Sequence, residues 1–438
     1  MTFTFLNYKK LQHHVLQKRN KFLNISATFK RIFKESVLVT LTDYLSFGIL
    51  FAITIALNKY YGTVELGVFT LIYTIAQITV MSLGSGFSGI LRRDVSIDNS
   101  QATSYIQHIL KIRGVIVMLS LALAISGCYF FIDDKPGFLY LLFLMIIAKG
   151  FDSGNETYYT TFQSLHAIQR FTILKSSNYL LLGALVLIAC VFEFPVQRIY
   201  EIHVGVAVLF FLFNALLYRG GNPAVLTSKK NLNRYLLTET WPLLVNAVFF
   251  QLSARISILI IEALNGTRLQ GLYSLGIIII AGVTAFANSV SIVLFPYLTV
   301  TYNKNIQKLW PAVTKVTLSF LACSLLLTAA FNIALPYILE FVGDLPTEAP
   351  AVFRILSWGI IPVFLLSLTG YLFTITGHQR QGMYAAAVTL VINVAGFYLL
   401  SKFYGITGSA FAFVICQSIS FVIMYAWVYY IIRKRSTH

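Results

Sequence analysis

The chain has 438 residues, of which 57% are hydrophobic, 15% aromatic and only 11% charged, with a mean hydropathy of +0.76. Soluble domains carry about 25% charged residues, so this composition excludes a soluble globular protein and points to a polytopic membrane protein. A formal net charge of +17 could suggest nucleic acid, but eight Lys/Arg fall in the first 34 residues and Arg433, Lys434 and Arg435 follow the last apolar run. Basic groups flanking apolar runs are topology signals, so no nucleic-acid partner is expected.

Residues 1–35 are basic and polar, with no small-residue cleavage site after a short apolar core, so no removed signal peptide is expected. The segment reads either as a basic amphipathic stretch over 9–34 on an anionic inner leaflet or as a solvated tail. Apolar runs bounded by charge, Gly, Pro and Asn then predict twelve spans near 36–57, 66–91, 112–132, 138–163, 171–192, 200–217, 239–263, 269–298, 313–333, 351–376, 383–401 and 406–432. With the start inside, cytoplasmic segments hold 25 Lys/Arg, Arg113 among them, and outer loops hold six. That bias puts both termini in the cytoplasm.

An even six spans per half gives the halves one orientation. The expected fold is all-α: an N-lobe over 36–217 and a C-lobe over 239–432, two six-helix bundles related by a pseudo-two-fold axis along the membrane normal. Residues 218–238 form the cytoplasmic linker between them, and 433–438 a cytoplasmic tail. Gly220, Gly221 and Pro223 suit that linker to let the bundles rock. Internal similarity supports duplication. YGTVELGVF at 61–69 aligns without gaps to NGTRLQGLY at 265–273, and Gln169-Arg170 is echoed by Gln379-Arg380, at offsets of 204 and 210.

Charges within the spans are the candidate functional groups. Arg255 lies about 24 Å into the seventh span, where a guanidinium must face protein or water rather than lipid. Gln251, Arg255 and Glu262 share one face of that helix at spacings of four and seven, while Glu239, Asn246 and Ser253 share a nearly opposite one. In the fourth span Lys149, Asp152, Glu156 and Gln163 form one charged face, with Lys149 and Asp152 placed to pair at i,i+3. That face either lines a hydrated cavity or is an internal ion-paired seam. The first span carries Ser36, Thr40, Asp43 and Thr54 near one face, and Asp43 is either a structural partner or a proton or sodium site. Tyr73, Gln77, Gly84 and Ser88 in the second span, and Thr284, Asn288 and Ser291 in the eighth, read first as close-packing contacts.

The four cysteines lie in or at the ends of apolar runs without metal-ligand spacing, and neither a Gly-rich phosphate loop nor a paired-His motif occurs. No metal or cofactor is expected. The outer loops are short, the longest being LPYILEFVGDLPTEAP, which leaves no visible room for the catalytic domain of an enzyme polymerising or ligating lipid-linked sugars. Transport leads, and that enzyme class is the rival.

The runs TTFQSLHAIQRFTILKSSNYLLLGALVLI and TITGHQRQGMYAAAVTLVINVAGFYLLSKFYGITGSAFAFVICQ, with FGILFAITIALNKYYGTVELGVFTL leading to LRRDVS, resemble the polysaccharide-exporting flippases of the multidrug, oligosaccharidyl-lipid and polysaccharide exporter superfamily. The resemblance covers about residues 36–432. It implies two lobes in a V, alternating access, and movement of an undecaprenyl-diphosphate-linked O-antigen or capsule repeat unit to the outer face of the bacterial inner membrane. It implies as partners the lipid-linked oligosaccharide, the bilayer, H+ or Na+ as coupling ion, and polysaccharide polymerase and chain-length proteins. The family's cation-lined cavity maps onto Arg255 and Lys149, with Gln251 and Asn288 as further substrate contacts; Asp43, Asp152, Glu156 and Glu239 are the carboxylates able to couple a cation. Multidrug extruders of the same superfamily, which carry a carboxylate placed like Asp43, are the alternative.

Overall fold

The computed structural model describes residues 3–131, 136–165, 167–221, 232–304, 306–343 and 345–436. Its N-terminal half comprises α1 (Phe3–Ala76), a π-helical turn (Gln77–Met81), α2 (Ser82–Ile97), α3 (Ala102–Phe131), α4 (Pro136–Ser164), α5 (Ile168–Val191) and α6 (Gln197–Gly221). The C-terminal half comprises α7 (Leu232–Asn265), α8 (Thr267–Lys304), α9 (Ile306–Val342), α10 (Ala349–Ser357), α11 (Ile360–Ile375) and α12 (Gln379–Ser436). No strand occurs among the described residues. In hydrocarbon only a helix satisfies its own backbone hydrogen bonds within one segment, so long apolar runs fold this way.

Among the described residues nine helical segments are long and apolar enough to cross a membrane. Two are of double length: Val37–Val80 turns at Gly62 and Arg380–Arg433 turns at Gly405. Both glycines have positive φ, +85° and +61°, a conformation that a Cβ disfavours. With each side of those turns taken separately and α10 with α11 as one span bent by 40°, the described residues make twelve crossings. This is a multi-pass membrane protein with the two-lobed, all-helical architecture expected.

Two boundaries differ from expectation. Residues 3–35 continue α1 as helix backbone. The tenth crossing, expected as one run, breaks at Trp358 and Gly359, where a Cβ on Gly359 would collide with the Phe413 ring. Of the linker, 222–231 lie outside the described residues, while Leu232–Thr238 already belong to α7.

The repeated motif lies where the halves meet. Gly266 separates α7 from α8 with φ +82°, matching the +85° of Gly62 at the equivalent position of the first copy. Immediately beyond, a Cβ on Gly67 would collide with the Thr267 carbonyl, and one on Gly271 with the Thr63 carbonyl. Such reciprocity is what a two-fold axis through the Gly67/Gly271 contact requires, and small residues let the backbones approach that closely. The Gln270 amide donates to Thr70 Oγ1 (3.1 Å) and the Asn58 amide to the Val342 carbonyl (3.5 Å), joining the same ends of the lobes. The second echo also holds its place, since Gln169-Arg170 and Gln379-Arg380 each stand in the first turn of a helix.

Away from that end, the first turns of α7 lie on the N-lobe. Leu232 and Leu236 are buried in a cluster with Phe87, Leu91, Val95 and Tyr105. Asp94, at the end of α2, accepts hydrogen bonds from Arg93 (2.8 Å), Tyr105 (2.7 Å) and Tyr235 (3.0 Å). Burial alone would raise the Asp94 carboxyl, but these three donors outweigh it and hold it below the ordinary aspartate value.

Candidate functional site: two cations on one aromatic ring

Three elements bring the candidate site together. Tyr73 stands eleven residues beyond the Gly62 turn and Arg255 ten residues before the end of α7 at Asn265. At ~1.5 Å per residue both side chains start ~15–17 Å below the Gly62/Gly266 end, near the middle of a ~30 Å hydrocarbon layer. Lys149, on α4, reaches the same ring. Its Nζ lies 4.4 Å from the centroid of Tyr73, and the Arg255 Cζ lies 5.6 Å from it. One cation therefore comes from each lobe. An aromatic face attracts cations by about 0.5–2 kcal/mol each, which offsets part of the mutual repulsion of two like charges at depth.

The two cations have different company. Lys149 is 7% exposed and its Nζ donates to Asp152 Oδ2 at 3.0 Å, the i,i+3 pair expected from spacing. Arg255 forms no ion pair with any described residue, and its charged neighbour on the same face, Glu262, is engaged elsewhere. Glu262 accepts from Thr267 Oγ1 at 2.7 Å and lines a separate cavity of about 430 Å³, with Glu65 and Gln197, near the Gly62/Gly266 end. The opposite face of α7 packs inward, where Asn393 Nδ2 donates to Ser253 Oγ at 2.6 Å. Among the described residues Arg255 thus has neither an ion-pair nor a hydrogen-bond partner, and a guanidinium so placed against an aromatic surface can receive an anion.

Of the other expected site residues, Gln251 lies one turn from Arg255 on α7 and is half-buried. Asn288 on α8 is exposed and no described contact joins it to the Tyr73 cluster. Asp43 pairs with Lys175 of α5 at 2.8 Å and its side chain is 57% exposed, so it stands apart from Lys149 and Arg255. The Glu239 side chain lies outside the described residues. Glu156 stays on the α4 face below Asp152 and is half-buried.

Two participants escaped the sequence reading. Arg113, counted as a cytoplasmic flank, is 4% exposed inside the N-lobe. It donates to Ser153 Oγ at 2.6 Å and lies within electrostatic reach of Glu156. The third span is an α-helix from Ala102, and this earlier start carries Arg113 inward. Tyr73 read as a packing residue because nothing in its own span reveals which helices will face it. The N-lobe interior holds further polar pairs: Asn214 Nδ2 donates to Asn155 Oδ1 (2.8 Å), Asn155 Nδ2 to the Ala207 carbonyl (3.1 Å) and Asn178 Nδ2 to Tyr159 Oη (3.1 Å). Among the described residues no three His, Cys, Asp or Glu side chains converge as a metal site.

The sequence profile of the family described as polysaccharide biosynthesis protein matches residues 30–302, well over half of the chain and including Tyr73, Lys149 and Arg255. The chain belongs to this family. No curated protein matches it. Solved structures share the fold of this polysaccharide biosynthesis protein. An inward-facing multidrug resistance MATE family transporter of the MOP superfamily is similar with TM-score 0.71 and 15% identity, covering 90% of this chain and 96% of that one. The outward-facing conformation of a MATE family transporter gives 0.67 and 15%, covering 92% and 97%. A MOP superfamily transporter from Pyrococcus furiosus, described as having a binding pocket of reversed polarity that suggests a different function, gives 0.66 and 15%, covering 91% and 96%. The fold shared with these structures is the two-lobed, all-helical one described above.

Proposed function

We propose that this polysaccharide biosynthesis protein is a flippase for undecaprenyl-diphosphate-linked O-antigen or capsular repeat units, working by alternating access across the bacterial inner membrane. The observation that carries the reading is the convergence of Arg255 and Lys149, from opposite lobes, on the ring of Tyr73. A lipid-linked glycan presents about two negative charges at the diphosphate that joins a tail able to stay in the bilayer to a sugar that is not. A positive site near mid-depth and shared by both lobes suits that group, because rocking of the lobes would pass it from one side to the other. Arg supplies a bidentate grip on phosphate oxygens and Lys a mobile point charge.

On the topology read from Lys/Arg placement, the Gly67/Gly271 junction lies on the outer side, and the cations lie below it, toward the cytoplasm where substrate would load. The proposed driving force is electrochemical, an H+ or Na+ gradient or the membrane potential itself, with inward-half carboxylates as the coupling groups and Asp152 foremost because it alone among the described carboxylates is bonded to a site cation. Polymerase and chain-length proteins would take the product. The alternative, a multidrug exporter, draws on the MATE fold and on Asp43, but a site with two cations and one carboxylate, net positive, favours anionic rather than cationic cargo.

A deletion strain tests the assignment. Loss of surface polysaccharide on a blot, with unchanged drug accumulation, is the expected result. Intact polysaccharide with raised drug accumulation would make the chain a drug exporter.

A further inference from the structure

The Lys149–Asp152 pair places a competitor inside the proposed anion site. Lys149 is the more deeply buried partner, 9% exposed at the side chain against 30% for Asp152, and their 3.0 Å bond is the shortest charged contact at the ring of Tyr73. Any diphosphate that engages Lys149 must take it from Asp152. We infer that Asp152 yields Lys149 to the diphosphate and takes up a proton as it does so, so that anion and proton bind to the site together. This rests on the diphosphate reading of the site and says how that site is regulated.

Charge balance carries the argument. Without ligand the cluster of Lys149, Asp152 and Arg255 sums to +1. A diphosphate with about two negative charges brings it to about −1 if Asp152 stays ionised, and to about zero if Asp152 is protonated. In a half-buried setting a carboxylate that has lost its cation and gained a neighbouring dianion favours its neutral form on both counts. As carboxylic acid it also gains a donor, which can point at a phosphate oxygen.

The groups around Asp152 do not supply another counter-ion. On α4 itself Glu156 is of the same sign and is matched by Arg113 of α3. Tyr159 on α4, Tyr179 on α5 and Tyr73 on α1 are phenols and bring no positive charge to balance a second negative one. His203 on α6 is 4% exposed, with Nδ1 bonded to the Ile199 carbonyl at 2.8 Å. Nδ1 then carries the ring proton toward that carbonyl, and the sealed Nε2 has no partner. A proton on Nε2 would put a charge in that sealed position with no partner, so His203 is no counter-ion for Asp152. Arg255 of α7 is the remaining cation, and it is committed to the ligand. Export would then carry one net negative charge outward per diphosphate, a direction that an inside-negative potential favours by about 2.3 kcal/mol per 100 mV; because the proton leaves with the anion, an inward proton gradient would oppose this step, and the drive is the potential.

The test is calorimetric titration of the full-length protein in nanodiscs with a farnesyl methyl diphosphate diester, which stays doubly charged at the mildly acidic to mildly alkaline pH used. Repeating it in buffers of different ionisation enthalpy counts protons. The wild type is expected to take up close to one proton per diester at alkaline pH, with affinity falling as pH rises. Asp152→Asn should bind about tenfold tighter at alkaline pH, a gain of about 1.4 kcal/mol, and take up none. Glu156→Gln should keep the uptake. Wild-type binding without proton uptake, or uptake retained in Asp152→Asn, overturns the inference whatever the fate of the variants' stability. Affinity unchanged by both Arg255→Gln and Lys149→Gln would instead remove the diphosphate site on which it rests.

Discussion

Gly67 of the N-lobe and Gly271 of the C-lobe meet backbone to backbone: a Cβ built on Gly271 would stand 2.9 Å from the Gly67 nitrogen and 3.1 Å from its Cα. The contact joins equivalent positions of the two sequence copies, so duplication, close packing and lobe closure are one feature. Overpacking such a contact costs about 1–3 kcal/mol. Gly67→Val and Gly271→Val are each expected to shift the lobes apart at this end by about a tenfold change in population, since 1.4 kcal/mol is tenfold. Spin-label distances between the Thr63 and Thr267 positions measure it. An unchanged distance distribution in both variants would show that the junction does not govern closure.

Tyr73 is expected to act through its ring. Tyr73→Phe keeps the face that both cations approach and should retain most export. Tyr73→Leu loses two cation contacts worth about 0.5–2 kcal/mol each, and export should fall about tenfold or more. Quantified surface polysaccharide at matched membrane levels checks this; equal export by the Leu and Phe variants would separate the ring from function.

Asp43 and Asp152 are expected to behave differently. The Asp43–Lys175 pair is more than half exposed on the acid side, and such pairs contribute about 0–1 kcal/mol. Asp43→Asn should therefore leave export within about twofold of wild type, whereas Asp152→Asn should uncouple it from pH. A severe Asp43→Asn defect with a mild Asp152→Asn one would favour the first-helix carboxylate of the drug-exporter alternative.

The Asp94 cluster gives a pH prediction outside the membrane. Its carboxyl is held below the ordinary value by Arg93, Tyr105 and Tyr235 against the opposing effect of burial, so the stabilisation is full above the ordinary aspartate value and fades as pH falls through the lowered one. Asp94→Asn should lower thermal stability at neutral pH by about 1–2 kcal/mol, and the gap should narrow in acid. A gap independent of pH would mean that packing of Leu232 and Leu236, rather than charge, anchors the start of α7.

The sequence carried the crossings and the repeat because hydrocarbon enforces both: span length follows from thickness, and a Gly-dependent turn at Gly62 and Gly266 leaves a readable mark. Lys149–Asp152 was legible for the same reason, since i,i+3 geometry is local to one helix. What tertiary packing decides was not legible. Arg113 near a span's edge looks like any flanking cation until α3 is seen to start at Ala102. Tyr73 becomes a site residue only when α4 and α7 are placed beside it. The Phe413 ring that crowds Gly359 comes from more than fifty residues away.

The most direct measurement of the central claim is surface polysaccharide in a deletion strain carrying Arg255→Gln, Arg255→Lys or Glu262→Gln at equal membrane abundance. Arg255 touches Tyr73 while Glu262 is bonded to Thr267, so the two residues should not behave as an ion pair. If Arg255 holds diphosphate, Arg255→Gln abolishes surface polysaccharide, Arg255→Lys restores part of it and Glu262→Gln is mild. Normal export by a well-expressed Arg255→Gln protein would contradict the account.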